Sequence, residues 1–186
     1  MKWKSLQLPR NIQRVVNSED GKYCKFTMDT MERGWGVTIG NALRRVLLSS
    51  LQGAAVTKVK FDNAVHEYST IEGVKEDVAE ILLNLKALRV KLLSDNIETL
   101  RLDVSGEGEV TAVNIEENPN VQIMNPDLHI ATLSGNASLS MDLTIADGRG
   151  YVTSDELKGE NDPIGVITLD ANFSPIEKVA YKVEDT

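Results

Sequence analysis

Long apolar runs are missing from this 186-residue sequence. Its densest clusters, VLL at 46–48 and ILL at 81–83, are far too short to span a bilayer. Cysteine occurs once, at Cys24, so no intrachain disulfide can form and a reducing compartment fits. Histidine occurs twice, at His66 and His129, with no cysteine pair near either. The cluster of about three or four ligands that a metal site needs is therefore not visible. Positive charge is the minority sign: 20 lysines and arginines stand against 28 aspartates and glutamates, a net charge of -8. That balance argues against a broad grip on nucleic acid, which needs a clustered positive field. The start, MKWKSLQLPRN, is basic but has no long apolar region behind it, so it does not read as a secretory signal. The expectation is a soluble cytoplasmic protein.

What is present reads as a folded chain, 41% hydrophobic and 26% charged, large enough for one sizeable domain or two small ones. Disorder is expected only at the two ends and in the polar stretch Ser154 to Asp162. Tyr23 to Thr30 reads as a strand, and the glycines of MERGWG suit a turn or a close backbone approach. Thr38 is the expected N-cap of a helix running to about Leu51, with Gly53 as its stop. From Ala54 to Val65, with Val56, Val59 and Phe61 among polar residues, the pattern suggests a strand and a turn at Asp62-Asn63. Val74, Val78, Ile81, Leu82, Leu85 and Leu88 recur at helical spacing, and Ser69 with Glu72 has the form of a capping box, or of plain loop.

After Leu88 the chain reads mainly as β. Leu100, Leu102 and Val104 alternate with charged residues, as do Leu139, Met141, Leu143 and Ile145 with polar ones. ENPN and NPD mark turns, and GVITLDANF, Ser174-Pro175 and the alternating KVAYKV close the sequence. The order predicts an α+β chain of two lobes, the second inserted into the first.

The helix of GWGVTIGNALRRVLLSSLQG has two stripes at 100° per residue. Ile39, Ala42, Leu43, Val46, Leu47 and Leu51 form a broad apolar one, expected to face the core. Asn41, Arg45, Leu48 and Gln52 form a second, with Arg44 at its edge: an apolar centre in a polar frame, typical of an interface. A single exposed leucine among solvated arginines is the plainer alternative. The glycines of GWGVTIG match neither the dinucleotide fingerprint nor the phosphate loop. GRGYV (Gly148 to Val152) reads as a bulge or loop that admits a close neighbour. His66 and Glu67 would point to opposite faces of a strand, and Cys24 reads as a buried free thiol. Lys75, Glu76, Asp77, Glu80 and Lys86 read as solvated surface, with KALRVK (Lys86 to Lys91) as a candidate second contact.

Five stretches carry a resemblance: ERGWGVTIGNALRRVLLSSLQGAAVTKV, HEYSTIEGVKEDVAEILLNLKAL, GRGYV, PIG and SPIEKVAYKVE. Together they closely resemble the N-terminal domain of the α subunit of bacterial and plastid RNA polymerase, over nearly the whole chain. The resemblance implies a dimerisation subdomain at 1–52 and 175–186, its C-terminal part incomplete, interrupted by an inserted subdomain at 53–174. It implies a non-catalytic subunit of a nucleotidyltransferase complex, with no active-site residues and no cofactor, that forms a homodimer and scaffolds the β and β′ subunits. It implies a β contact at Arg45 and Leu48, framed by Arg44 and Asn41, a β′ contact at Lys86 and around Leu169, and a dimer interface through Leu43, Leu47 and Leu51. In that family a further strand and helix, a linker and a DNA-binding domain follow, so direct DNA contact by this chain is not expected, and localisation is to the cytoplasm, at the nucleoid through the polymerase. Two other readings remain: a small enzyme holding a phosphorylated ligand on Gly34–Gly40, and a stand-alone interaction module.

Overall fold

Period-two patterning builds most of what folds. The computed structural model describes residues 7, 9–18, 21–64, 66–159 and 162–185. In chain order the elements are β1 (Ile12–Asn17), β2 (Cys24–Met28), α1 (Trp35–Ser49), β3 (Gln52–Phe61), α2 (Val78–Lys86), β4 (Val90–Leu92), β5 (Glu98–Ser105), β6 (Gly108–Thr111), β7 (Val121–Ile123), β8 (His129–Leu133), β9 (Ser138–Arg149), β10 (Tyr151–Val152), α3 (Ser154–Leu157), β11 (Val166–Thr168) and β12 (Ala171–Asn172). This is the expected α+β class. Most of the basic start, Val65 at the end of the stretch read as strand and turn, and Glu160 and Asn161 of the polar stretch lie outside the described residues. The chain divides into two compact units, residues 1–46 with 178–186, and residues 47–177.

In the larger unit β5, β9, β3, β4 and β7 lie side by side in that order and β11 joins β3, a six-stranded sheet with antiparallel pairing. The alternating leucines meet across the ladder, Leu100 opposite Leu143 and Leu102 opposite Met141, and all four are buried. The other face is polar. There Arg101 donates to Asp142 at 3.0 Å and also to Asp62, pinning the turn after β3. Val56, Val59 and Phe61 do not alternate strictly, yet all three enter one core cluster. A register shift between Val56 and Lys58 against β9 absorbs the extra residue.

Val78, Ile81, Leu82 and Leu85 bury one face of α2. The start of this helix differs from the expected one. Asp77 is the N-cap, its Oδ1 accepting from the Glu80 N–H at 2.7 Å, worth about 1 kcal/mol. The Ser69 hydroxyl instead donates to the His66 carbonyl at 2.7 Å, a local turn bond that competes with capping. Val74 lies before the helix, in a bridge to Leu133. The stretch expected to be disordered holds α3, and its Asp162 accepts from the Gly159 N–H at 2.9 Å.

Gly53 does not stop α1; it lies in β3, directly opposite Gly148 of β9. The two bare positions open a slot filled by Phe173, which is 3% exposed. A Cβ on Gly148 would stand 2.6 Å from the Phe173 ring, and one on Gly53 2.0 Å from the Phe173 carbonyl oxygen. The close neighbour expected at GRGYV is thus Phe173, whose N–H also donates to the Gly150 carbonyl at 2.8 Å.

In the smaller unit β1 and β2 form an antiparallel hairpin with a register shift between Arg14 and Val16. Ile12, Val15, Tyr23 and Phe26 are exposed, and so is Cys24, against the expectation of a buried thiol. A two-stranded ribbon has no second layer to bury its side chains. Thr38 is not the cap of α1. It sits inside the first turns, where its hydroxyl donates back to the Gly34 carbonyl at 3.4 Å.

Candidate interaction site

None of the fifteen residues of α1 is buried. The stripe expected in the core is therefore corrected: Leu43 is 40% and Val46 50% exposed. Ala42 is exposed, while Ile39, Leu47 and Leu51 are half-buried. The face that the smaller unit does cover is a different one. Gly36, Gly40 and Arg44, four residues apart, share a side of the helix, and the segment 179–183 lies along it. A Cβ on Gly40 would stand 2.5 Å from the Tyr181 ring and one on Gly36 2.9 Å from Val183. Arg44 donates through Nη1 to the Val179 carbonyl at 2.7 Å. Arg44, expected in the outward frame, is thus turned to the chain's own tail. The Gly34–Gly40 stretch is largely helix with two glycines covered, so it is not the open loop a phosphate ligand would need.

Asn41 and Arg45 are exposed and Leu48 is half-buried, on one side of α1. Gln52 leaves that stripe. It belongs to β3, and its amide donates to Asp147 Oδ2 at 2.6 Å.

The second predicted contact gathers at the end of α2. Lys86 Nζ lies 3.0 Å from Asp170 Oδ2, and Asp170 Oδ1 accepts the Ser154 N–H at 2.8 Å. The Ser154 N–H first, and then Lys86, hold the Asp170 carboxyl far below the usual carboxylate range. Arg89 pairs with Glu177 at 2.9 Å. Asn125 finishes the helix, its side chain accepting from the Arg89 N–H at 2.8 Å and donating to the Ala87 carbonyl at 3.0 Å. KALRVK is therefore less a bare basic spot than a row with two closed ion pairs. Leu169 itself is 4% exposed, a core side chain, and its neighbour Asp170 is the residue that meets Lys86.

A third cluster had no signal in the sequence. Glu76, expected to be solvated, accepts from the Thr132 N–H at 2.6 Å and lies 3.0 Å from His129 Nε2. Glu109 meets the other ring nitrogen at 2.8 Å. Burial pushes the Glu76 carboxyl up, but the Thr132 N–H and His129 outweigh it and leave it below its ordinary value. Glu76, against burial and with help from Glu109, raises the His129 pKa. The two carboxylates sit at opposite ring nitrogens and do not converge on one point. Among the described residues no group of three ligands could hold a metal ion. Nor, among them, is any helix long and apolar enough to cross a membrane.

Residues 59–174 match the model of the RNA polymerase Rpb3/RpoA insert domain. The chain belongs to that family. Two relatives agree. One, a DNA-directed RNA polymerase subunit alpha from Bacillus velezensis, is 52% identical over 175 residues, 94% of this chain and 56% of the relative. Another of the same name, from Symbiobacterium thermophilum, is 53% identical over the same shares. The chain thus spans a little over half the length of these relatives. The matched stretch runs from the last three residues of β3 through β12, and with it the Lys86–Asp170 pair, Gly148 and Phe173 of the slot, and the His129 cluster.

Proposed function

We propose that this chain acts as the assembly portion of a bacterial RNA polymerase α subunit: a non-catalytic scaffold that pairs with a second copy and carries the β and β′ subunits. The observation that carries the reading is α1, a fifteen-residue helix with no buried residue, on which Trp35, Leu43 and Val46 are exposed. An apolar stripe of this kind gains free energy only by burial, roughly 1.5–3 kcal/mol for each large side chain. In this reading the dimer forms through Leu43, Leu47 and Leu51. Residues 1–52 with 175–186 make the pairing subdomain, and 53–174 the inserted one. Arg45 and Leu48, with Asn41 beside them, meet the β subunit. Arg44 supports that surface from behind by fixing the tail. Lys86 meets the β′ subunit. The protein works in the cytoplasm, at the nucleoid, without touching DNA through this chain.

The test is Arg45→Ala. It is expected to abolish co-purification with the β subunit while leaving the circular dichroism of the chain unchanged. Retained β binding at wild-type yield would remove Arg45 from the contact.

A further inference from the structure

We infer that Asp170 is a positioning residue for Lys86, holding its ammonium ready for a neutral hydrogen-bond acceptor, such as a backbone carbonyl, on the partner subunit. The inference rests on the proposed β′ contact at Lys86. A lysine side chain is flexible, and fixing it on binding opposes association. Here much of that ordering has been done beforehand, because Nζ is held 3.0 Å from Asp170 Oδ2. The pair still reaches solvent, with the two side chains 35% and 31% exposed.

The carboxylate is itself unable to follow the lysine. Its other oxygen takes the Ser154 N–H at 2.8 Å. On one side the Leu169 N–H donates to the Thr57 carbonyl of β3 at 2.8 Å. On the other, Ala171 pairs with Val152, and Phe173 sits in the Gly53–Gly148 slot. The sheet therefore sets the position of the carboxylate, and the carboxylate sets the position of the ammonium. An ammonium has three N–H donors; Asp170 takes one and leaves two for a partner. Asp170 also cancels the charge of Lys86 and would repel a second carboxylate, which is why the fitting group is a neutral acceptor. Arg89 with Glu177, just beyond α2, repeats the pairing.

The experiment measures the affinity of the full chain for the β′ subunit with Lys86→Ala, Asp170→Asn and the double variant. Each single change is expected to weaken binding about tenfold. The double variant should be no weaker than Lys86→Ala alone, because both act through one contact. A purely structural role for Asp170 would instead give additive losses. Ser154→Pro supplies a variant that keeps both ion-pair partners and deletes the N–H and the hydroxyl that anchor the carboxylate. Thr153 before it is already extended, at φ -76° and ψ 155°, so a following proline is tolerated. It should weaken binding about threefold, and only when Lys86 is present. The ratio of wild-type to Lys86→Ala affinity should hold between about 0.1 and about 0.5 M salt; a carboxylate acceptor would make it shrink. Wild-type affinity for Asp170→Asn and Ser154→Pro, beside a weakened Lys86→Ala, overturns the positioning role alone. An unaffected Lys86→Ala overturns the β′ contact on which it rests.

Discussion

Replacing Gly148 by alanine will loosen the larger unit by forcing Phe173 out of its seat. The new Cβ would stand 2.6 Å from two ring carbons of Phe173, well inside van der Waals contact. The ring is buried in a small cluster with Ala55 and Ala171, with Val152 and Leu157 against it, so it has little room to withdraw. Inserting a methyl group into such a site costs about 1–3 kcal/mol. Complete expulsion of the ring would approach the roughly 3–5 kcal/mol of a Phe→Ala change. A loss of about 2 kcal/mol with a urea slope near 2 kcal/mol per molar moves the midpoint down by about 1 M. Far-UV circular dichroism is the suitable signal, since the strands of the six-stranded sheet lie in the unit being perturbed. The decisive comparison is with Phe173→Ala. Once the ring is gone the added methyl has nothing to strike, so the double variant should unfold within about 0.5 kcal/mol of Phe173→Ala alone. An unchanged midpoint for Gly148→Ala, or two full costs that add, would refute the seat.

Three further outcomes are expected. Gly40→Ala gains about 1 kcal/mol of helix propensity but displaces the Tyr181 ring, so trypsin should cut faster after Lys182, and Tyr181→Ala added to it should bring no further acceleration. Leu43→Glu places a charge on the exposed stripe of α1; light scattering should show the chain shifted toward monomer, and an unchanged mass would take Leu43 out of the pairing surface. The His129 cluster should make stability depend on pH at both limits. The Glu76 pKa is depressed, so its contribution is present above the ordinary carboxylate range and is lost as pH falls through the depressed value. That of His129 is raised, so its contribution is complete below the ordinary imidazole value and is lost as pH rises through the raised one. His129→Gln should flatten the alkaline side of a melting-temperature profile taken from about pH 2 to about pH 9 and shrink the acid side without abolishing it, because the Thr132 N–H still holds the Glu76 carboxylate.

Amino-acid order by itself determined the elements whose partners are the chain's own sheet. Leu100, Leu102, Leu139, Met141 and Leu143 alternate because one face of an antiparallel ladder is buried, and that rule acts over a few residues. The apolar spacing of α2 is local in the same way, and GRGYV announced a close approach because glycine in a strand rarely has another use. Boundaries were less legible. Thr38 and Ser69 have side chains that cap helices, but the same hydroxyls bond to nearby carbonyls, and local order does not say which bond wins. The burial of α1 was misread for a related reason. Period reveals that a stripe is apolar, not whether its cover lies in the same chain, and here the covered side is the glycine face beneath Tyr181 and Val183. What only the tertiary structure decided are the long-range meetings: Phe173 over Gly53 and Gly148, Asp170 against Lys86, and Glu76 on His129. Each joins residues tens of positions apart, or more than a hundred, and sheet register sets each meeting, because no repeat or spacing in the sequence encodes a distance across strands.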